Sequence, residues 1–387
     1  MPTKTPKPLH LGILSCANIA KQFVRDVMGS PAVHIDAVAS RQLPRAKEFA
    51  NQFGIARAMG SYEAMLADPQ LDAIYIPLPN SMHAEWAIKA LQAGKHVLCE
   101  KPLALGLDEA RRMFNAARAN GLMLLESYPY WFQPQTGDLV KHLTATDGSG
   151  IGHIRSVHTS FGFTVGNPET NIRMKPELGG GALLDAGSYP LSLIRLVMGC
   201  APQQVMAHAN WASSGVDIAM MATLLYADGR RAQMSCAMDG ATHRRATIVG
   251  SHGTIETEYL NHTNASNEHP WNYLPSQMRI RKGILNTIPY EDIHSVTGSG
   301  FRFAAEAFAQ VVREKDTEAI TKTTAASLDI AATLEAIKSS PNFSVQSSAE
   351  PVKVGGYKLQ ELGPLHLSGD KDTPPSDVRI VEVTKIK

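Results

Sequence analysis

Apolar and polar positions alternate in a regular way between residues 9 and about 130. Short apolar runs predict strands at Leu9–Leu14, Val33–Ala39, Ala73–Ile76, Val97–Cys99 and Leu122–Leu125. Apolar residues at three- and four-residue intervals predict helices between them, at Ile19–Met28, Arg45–Phe53, Tyr62–Leu66, Ala84–Ala93 and Asp108–Asn120. Near-continuous apolar strands that alternate with helices are typical of a parallel sheet covered on both faces. This part of the chain therefore predicts an α/β fold with a doubly wound Rossmann sheet, which binds ligands at the carboxyl ends of its strands.

The pattern changes after about residue 150, where shorter turns separate segments with a period of two. Strands are predicted at Ile154–Phe163, Gln204–Ala212, Ile218–Tyr226, Arg231–Met238 and Ala246–Val249. Two helices are predicted to follow, at Phe301–Val312 and Ala325–Ile337. These elements predict an α+β domain with a large, mostly antiparallel open sheet.

The two patterns divide the chain into three parts. We expect a dinucleotide-binding domain over residues 1–130 and a substrate and oligomerisation domain over residues 131–345. A tail over residues 346–387 contains glycine and proline and alternates weakly near its end. An edge strand, an arm between subunits and a segment without fixed structure all stay open for this tail.

Composition narrows the expected partners and location. The formal net charge is +1, from 37 basic and 36 acidic residues, so neither nucleic acid nor an anionic membrane is an expected partner. Only four cysteines occur among 387 residues, and none are spaced as a zinc pair, which favours a reduced, cytoplasmic protein. The polar start lacks the apolar core of a secretory signal, and no run of about 18 apolar residues predicts a membrane span.

The turn after the first predicted strand is the candidate site for a dinucleotide pyrophosphate. It contains Ser15, Cys16, Ala17, Asn18 and Ile19, just before a predicted helix. Small residues are needed here so that the backbone approaches the phosphates at the helix N-terminus. Ser15, Ala17 and Ala20 replace all three glycines of the usual Gly-x-Gly-x-x-Gly pattern, so a plain strand–helix connection is the alternative interpretation.

The end of the second predicted strand favours NADP over NAD. An NAD site commonly carries an acidic residue here for the ribose hydroxyl, but this chain has Ser40, Arg41 and, four residues on, Arg45. A hydroxyl and two guanidinium groups suit the 2′-phosphate of NADP, because arginine forms charge-assisted bidentate hydrogen bonds. The alternative is that both arginines only solvate the start of a helix.

Several motifs in order resemble those of the glucose-fructose oxidoreductase/inositol dehydrogenase (Gfo/Idh/MocA) family, over roughly residues 9 to 340. They are Ala39–Arg41, Gly60–Glu63, Asp72–Ile76, Pro79–His83, Gly94–Pro102 and Gly179–Pro190. Glu100-Lys101-Pro102 alone is a weak signal. Together with the downstream Gly-Gly-Gly…Asp…Tyr segment it is specific, and it is most similar to the NADP-dependent aldose dehydrogenase and dihydrodiol dehydrogenase branch.

The resemblance implies three catalytic residues, Lys101, Asp185 and Tyr189. The family lysine lies beside the nicotinamide, where its ammonium group can polarise the substrate oxygen, and the Lys-Pro bond is often cis. Tyr189 would exchange the proton, helped by a neighbouring cation because a phenol with a pKa near 10 is a poor base at neutral pH. Asp185 would hold the pair in place. The alternatives are a surface lysine, a core tyrosine and a helix-capping aspartate.

The resemblance also implies further contacts. Residues expected to line the cofactor are Pro79, Asn80, His83, Glu100 and Lys101, and residues expected to contact the substrate are Tyr130, Trp131, Arg173 and Lys175. Close relatives carry an arginine and a histidine where this chain has Trp131 and Gln133, which leaves the substrate open. No metal is expected, since the nicotinamide supplies the hydride chemistry.

These features predict reversible hydride transfer between NADP(H) and the carbinol or carbonyl carbon of a small polyhydroxylated substrate. The simplest such reaction is oxidation of an aldose at C1 to its lactone. A keto-sugar reductase or a trans-dihydrodiol dehydrogenase is the second hypothesis, and a non-catalytic dinucleotide-sensing regulator is the third. An open antiparallel sheet needs its outer face covered, and relatives pair such sheets, so a homodimer or homotetramer is expected.

Overall fold

A computed structural model describes residues 7–266, 273–340, 357–364 and 379–385. The first part of the chain forms a six-stranded parallel sheet in the order β3-β2-β1-β4-β5-β6. Its strands are β1 (Leu9–Leu14), β2 (Val33–Ala39), β3 (Arg57–Met59), β4 (Ala73–Ile76), β5 (His96–Glu100) and β6 (Leu124–Ser127). This is the doubly wound order, so the predicted fold class is confirmed. The short strand β3 was not predicted, because its three residues are only half-buried and carry no apolar run.

Five helices connect these strands. They are α1 (Asn18–Val27), α2 (Leu43–Phe53), α3 (Tyr62–Leu66), α4 (His83–Gln92) and α5 (Leu107–Ala119). Each lies within two residues of its predicted bounds. Gly54 ends α2 with a φ of 68°, a left-handed conformation that glycine adopts without steric cost.

The second sheet has eight strands in the order β14-β13-β12-β11-β7-β10-β9-β8. They are β7 (Ile154–Thr164), β8 (Gln204–Trp211), β9 (Asp217–Leu225), β10 (Arg231–Ala237), β11 (Asp239–Gly250), β12 (Gly253–Thr257), β13 (Met278–Lys282) and β14 (Glu291–Asp292). Only β7 and β10 pair in parallel among these described strands, so the expected mostly antiparallel sheet is confirmed. Strand β11 is longer than predicted because its first five residues are mostly exposed and show no apolar alternation.

The described residues of this part of the chain also form the α-helices α6 (Pro134–Thr144), α7 (Ser188–Met198), α8 (Gly300–Glu314) and α9 (Thr317–Lys338). Helix α8 packs on α1, while α9 packs on both α5 and α7. Helix α7 lies against β7 and β10, with Leu191, Leu193 and Ile194 in the apolar core of the second sheet. That packing fixes the segment just before α7, which carries part of the candidate site. The domain boundary near residue 130 stays a prediction.

Residues 346–387 form a unit of their own. Its described strands, β15 (Tyr357–Pro364) and β16 (Arg379–Lys385), pair with each other as an antiparallel hairpin. Across the described residues, no helix has the length and apolar character needed to cross a membrane.

Candidate active site

The lysine turn lies at the carboxyl end of the parallel sheet. Strand β5 ends at Glu100, and the Lys101–Pro102 peptide bond that follows is cis, as the family resemblance implied. The Lys101 ammonium group donates to the main-chain oxygen of Asp185 at 2.9 Å and to its Oδ1 at 3.1 Å. Two segments that are 84 residues apart in sequence therefore meet at this point.

Asp185 and Tyr189 are positioned by an irregular stretch of helix. Residues Leu183–Gly187 form a π-helical turn that continues directly into α7, and such turns are frequent at functional sites. The second carboxylate oxygen of Asp185 accepts from Arg173 Nε at 2.5 Å. The Lys101 Nζ atom lies 4.7 Å from the centroid of the Tyr189 ring. The structure thus brings together the three predicted catalytic residues and Arg173.

The charges in this cluster reinforce one another. Burial raises the pKa of Asp185, but Lys101 and Arg173 outweigh it and lower that pKa to about 2. Burial lowers the pKa of Lys101, yet the neighbouring Asp185 carboxylate, with Tyr189 and Glu100, raises it above its usual value. At neutral pH this part of the site therefore holds a charged ammonium–carboxylate pair.

Glu100 behaves differently from Asp185. Its Oε1 accepts from the Tyr75 hydroxyl at 2.7 Å, and its side chain is buried. Burial raises the pKa of Glu100 to about 7, in spite of the neighbouring Lys101. Its expected cofactor contact stays a prediction; the contact seen in the structure ties β5 to β4.

Two residues beside Tyr189, Asn261 and Arg244, are not among those predicted from the sequence. Asn261 Nδ2 donates to the Tyr189 hydroxyl at 2.9 Å, and the Cζ atom of Arg244 lies 4.0 Å from the centroid of the Tyr189 ring. Asn261 falls in an irregular segment between β12 and β13, where no helical or strand periodicity points to a buried position. Arg244 had a usable signal, because it shares the buried face of β11 with Ala246 and Ile248.

The turn between β1 and α1 suits a pyrophosphate. Ser15 has a φ of 144°, unusual for a residue with a side chain, and its Oγ accepts from Ala17 N at 3.1 Å. Ala17 precedes α1 without a side-chain cap, and the first turn, which begins with Asn18 and Ile19, contains no acidic residue. The amide groups at this helix start therefore face no competing carboxylate from that turn, which fits an anionic ligand.

The ends of β1 and β2 meet beside this turn. Arg45 Nη2 donates to the main-chain oxygen of Cys16 at 3.4 Å, which links the two strand–helix connections. Ser40 is buried, and its Oγ accepts from Gln42 N at 3.3 Å, while Arg41 is exposed. Helix α2 begins with no acidic residue in its first turn. This arrangement fits a phosphate on the adenine ribose better than a bare hydroxyl.

Pro79, Asn80 and His83 follow β4 and are held by main-chain contacts. Asn80 Nδ2 donates to Gly179 O at 2.8 Å. The His83 ring is fully buried, with its nitrogens 2.9 Å from the carbonyl oxygens of Leu78 and Pro102. Burial lowers the pKa of His83. In the structure this histidine holds the lysine turn, and its cofactor contact stays a prediction.

The expected substrate residues differ in burial. Tyr130 is fully buried and its hydroxyl lies 2.8 Å from Ser192 Oγ. Its ring packs against that of Tyr189. Trp131 is half-buried and donates to the Tyr130 hydroxyl, while Lys175 lies near Arg173 on the segment before the glycines. Their substrate contacts stay predictions.

Gln133, which stands where relatives carry histidine, has a clear structural role. Its Nε2 donates to the main-chain oxygens of Asn261 at 2.7 Å and Gly298 at 2.8 Å. Gln133 therefore positions the segment that brings Asn261 to the Tyr189 hydroxyl.

One group in the described residues has ligand atoms close enough for a metal ion: His10, His34 and Asp36. These residues lie toward the amino ends of β1 and β2, at the sheet edge opposite Ser15 and Lys101. The expectation of a catalytic site without metal stays a prediction.

Two family models match the chain. The oxidoreductase family model for an NAD-binding Rossmann fold matches residues 9–128, and the C-terminal domain model of the same Gfo/Idh/MocA family matches residues 144–256. Together they cover more than half of the chain. The protein belongs to the Gfo/Idh/MocA oxidoreductase family, which confirms the resemblance found in the sequence.

Relatives place the chain within this family. It is 35% identical over 248 residues to a D-xylose 1-dehydrogenase (NADP(+)) of Haloferax volcanii, covering 64% of this chain and 75% of the relative. It is 32% identical over 306 residues to a trans-1,2-dihydrobenzene-1,2-diol dehydrogenase of Danio rerio, covering 77% and 86%. The crystal structure of a 3-ketoreductase from Actinomadura kijaniata with NADP and TDP-benzene is similar with a TM-score of 0.74 and 31% identity, covering 86% of this chain and 98% of that one.

Proposed function

We propose that the protein is an NADP(H)-dependent oxidoreductase acting on the carbinol or carbonyl carbon of a small polyhydroxylated substrate. The simplest reaction is oxidation of an aldose at C1 to its lactone. One observation carries the proposal: Lys101, Asp185 and Tyr189 form a single cluster at the carboxyl end of β5. That edge of a doubly wound sheet is where a dinucleotide binds.

The residues divide the proton chemistry between them. Bound NADP(H) supplies or accepts the hydride. Tyr189 takes the proton of the substrate hydroxyl during oxidation and returns it to the carbonyl oxygen during reduction. Its oxygen accepts from Asn261, so its own proton is free to point elsewhere. The Lys101 ammonium group has three N–H donors. Two of them bind Asp185, which leaves one for the substrate oxygen.

The choice of NADP rests on two supports. Ser40, Arg41 and Arg45 follow β2 where an acidic residue would favour NAD, and no acidic residue begins α2. The relatives include an enzyme named for NADP(+) and a structure solved with NADP. The cofactor is therefore NADP rather than NAD.

A second candidate is reduction of a keto-sugar or oxidation of a dihydrodiol. The similarity to a 3-ketoreductase and to a dihydrodiol dehydrogenase favours it. The half-buried Trp131, which packs on Tyr128 and Tyr130, offers an aromatic surface that suits a sugar ring or an aromatic diol.

An assay of both directions separates these candidates. Wild-type protein is given NADP⁺ with aldoses and dihydrodiols, and NADPH with keto-sugars, while Lys101→Ala is run in parallel as the inactive control. Turnover of aldoses alone supports the first candidate, and turnover of keto-sugars or dihydrodiols supports the second. Tight NADP binding without turnover of any compound would contradict both and favour a sensing role.

Self-association through the second sheet completes the proposal. The outer face of this sheet has exposed Met206 and Met221 and a shallow depression of about 630 Å³ lined by β7–β11. Exposed apolar side chains on an open sheet are typical of an interface. Light scattering is expected to give a dimer or tetramer, and Met206→Lys with Met221→Lys to lower the mass. A monomeric wild type would contradict this.

A cytoplasmic location is part of the same proposal. The four cysteines are free thiols, and Cys16, Cys99 and Cys236 are buried, which suits a reducing compartment. Cell fractionation tests it, and recovery in an oxidising compartment would contradict it.

A further inference from the structure

Arg244 is a charged side chain that is buried beside Tyr189. It lies on β11, is 8% exposed, and is surrounded by four aromatic rings. Its Cζ atom lies 4.0 Å from the ring centroid of Tyr189, 4.7 Å from Tyr259, 5.1 Å from Phe161 and 5.2 Å from Tyr130. A cation at these distances is attracted by the faces of the rings.

No carboxylate of the described residues pairs with this guanidinium. Its Nε and Nη2 atoms are buried without any hydrogen-bond partner in that part of the chain. Its neighbour in sequence, Arg245, is exposed and pairs with Glu258 at 3.1 Å. Burying an unpaired charge is costly, and ring faces offset only part of that cost. A buried cation in a catalytic wall therefore calls for a functional explanation.

The neighbouring phenols do not neutralise it. Burial raises the pKa of Tyr259 to about 12, although Arg244 lowers it, and burial raises that of Tyr130 well above the usual value. Both therefore stay neutral near pH 7. The guanidinium stays protonated, so a fixed positive charge remains in contact with Tyr189.

The other charges that face Tyr189 are already engaged. Lys101 and Arg173 both pair with Asp185, so this one carboxylate serves two cations. The Tyr75 phenol, whose pKa is raised by burial, stays neutral. Arg244 is thus a third cation near Tyr189 with no anion of its own among the described residues, and Asn261 adds a neutral donor at the phenol oxygen.

We propose that Arg244 is a positioning residue whose uncompensated charge favours the deprotonated state of Tyr189 and so sets the pH at which the proton is exchanged. This inference rests on the proposed function. In the oxidation, the substrate O–H bond breaks and the phenolate of Tyr189 takes the proton, while the C–H bond on the same carbon breaks and its hydrogen leaves with both electrons as hydride to NADP⁺. In the reduction the same proton returns from the phenol to the carbonyl oxygen.

Removal of the Arg244 charge should therefore shift the pH dependence of kcat/KM and not only lower its maximum. In Arg244→Met, whose apolar side chain suits the aromatic surroundings, more alkaline conditions are needed to form the phenolate. We expect the rising limb of kcat/KM for oxidation and the falling limb for reduction to move together to higher pH, by on the order of 1 unit. Arg244→Lys keeps a cation among the rings and should leave both limbs near their wild-type positions.

The test compares full pH profiles in both directions for wild type, Arg244→Met and Arg244→Lys. Arg279→Met is the matched control, because Arg279 also stacks on a tyrosine, with its Cζ 4.7 Å from the Tyr290 ring, but lies on the exposed face of β13. Thermal unfolding shows whether each variant is folded. Limbs that move in the methionine variant and stay in place in the lysine and control variants support the proposal.

Two results would overturn it. A lower rate in Arg244→Met with both limbs unmoved would show that the arginine only packs the wall. If the pH limbs of Arg244→Lys move as far as those of Arg244→Met, the positive charge of Arg244 is not the cause of the shift. Tyr189→Phe separates this failure from failure of the proposed function: if the limbs persist in that variant, Tyr189 is not the titrating residue, and the proposed mechanism itself is wrong.

Discussion

The two ends of the candidate site are built in opposite ways. At the cofactor end, adjacent turns of one sheet offer uncapped helix amides and arginine side chains, of which Arg41 is exposed. At the proton-transfer end, Lys101 and Asp185 are nearly buried and joined across 84 residues of sequence, and Tyr189 packs between rings and cations.

The difference teaches what each end requires. A phosphate is bound by many donors, most of them main-chain amides, so the loss of one side chain weakens binding without abolishing it. A proton is moved by one group in one geometry, and its neighbours are buried where an unpaired charge is costly. Substitutions at the proton-transfer end should therefore lower turnover, whereas those at the cofactor end should weaken cofactor binding.

The largest effect is expected for Lys101→Ala. Loss of the ammonium group removes the donor to the substrate oxygen and the partner of Asp185, and turnover should fall by about 10³-fold. Binding of NADP, measured by fluorescence, should stay near wild type. Lys89→Ala is the control, because Lys89 pairs with Glu85 on an exposed helix face. A loss of NADP binding in Lys101→Ala as large as the loss of turnover would contradict the separation of cofactor binding from proton transfer.

Asp185→Asn should have the next largest effect. The variant keeps the shape of the side chain but removes the charge that holds both Lys101 and Arg173. Turnover should fall by about 10- to 100-fold, the loss expected for a charge-assisted hydrogen bond. Steady-state kinetics with the preferred substrate tests this, and a change confined to the KM for NADP would place Asp185 at the wrong end of the site.

Arg41→Ala and Arg45→Ala test the cofactor end. Each should weaken NADP binding by about 10- to 100-fold while leaving NAD binding and kcat with saturating NADP nearly unchanged. Titration of each variant with both dinucleotides measures this. Equal weakening of NAD and NADP would mean that the arginines support the turn and do not contact the 2′-phosphate.

The smallest effect concerns stability. The pKa of Glu100 is about 7 in the folded protein, whereas an exposed glutamate, as in the unfolded chain, has a pKa of 4.5. Between pH 4.5 and pH 7 the folded state therefore binds more protons than the unfolded state. The free energy of unfolding therefore falls as pH rises through this window, by roughly 1–3 kcal/mol for this group. Glu100→Gln should flatten this dependence in urea unfolding at several pH values.

The slope should shrink and not vanish, because burial raises the pKa of Glu126 to about 7 as well. Glu85→Gln, at an exposed position, should keep the wild-type slope. A Glu100→Gln protein with an unchanged slope would contradict the raised pKa of Glu100 at the end of β5.

The same contrast explains what could be predicted from the sequence. Strands β1, β2 and β4 were predicted with their observed bounds, since strands in a sheet covered on both faces carry mostly apolar residues. The lysine turn was predicted from the family resemblance, because Glu100-Lys101-Pro102 is contiguous in sequence and can be recognised without the fold.

The contacts of Arg244 and Asn261 could not be predicted in this way. Arg244 lies opposite Phe161 only because of the register between β7 and β11, which includes an irregularity. Asn261 reaches Tyr189 because Gln133 holds its main chain. Both contacts depend on tertiary structure, and no local pattern encodes them.

The measurement that tests the account most directly is single-turnover hydride transfer in Tyr189→Phe, followed by nicotinamide absorbance with NADP binding measured on the same samples. The variant removes one oxygen atom and leaves the ring among its neighbours. We expect hydride transfer to slow by about 10³-fold while NADP affinity stays within about twofold of wild type. A rate of hydride transfer equal to that of the wild type would contradict the assignment of Tyr189 as the proton-transfer residue.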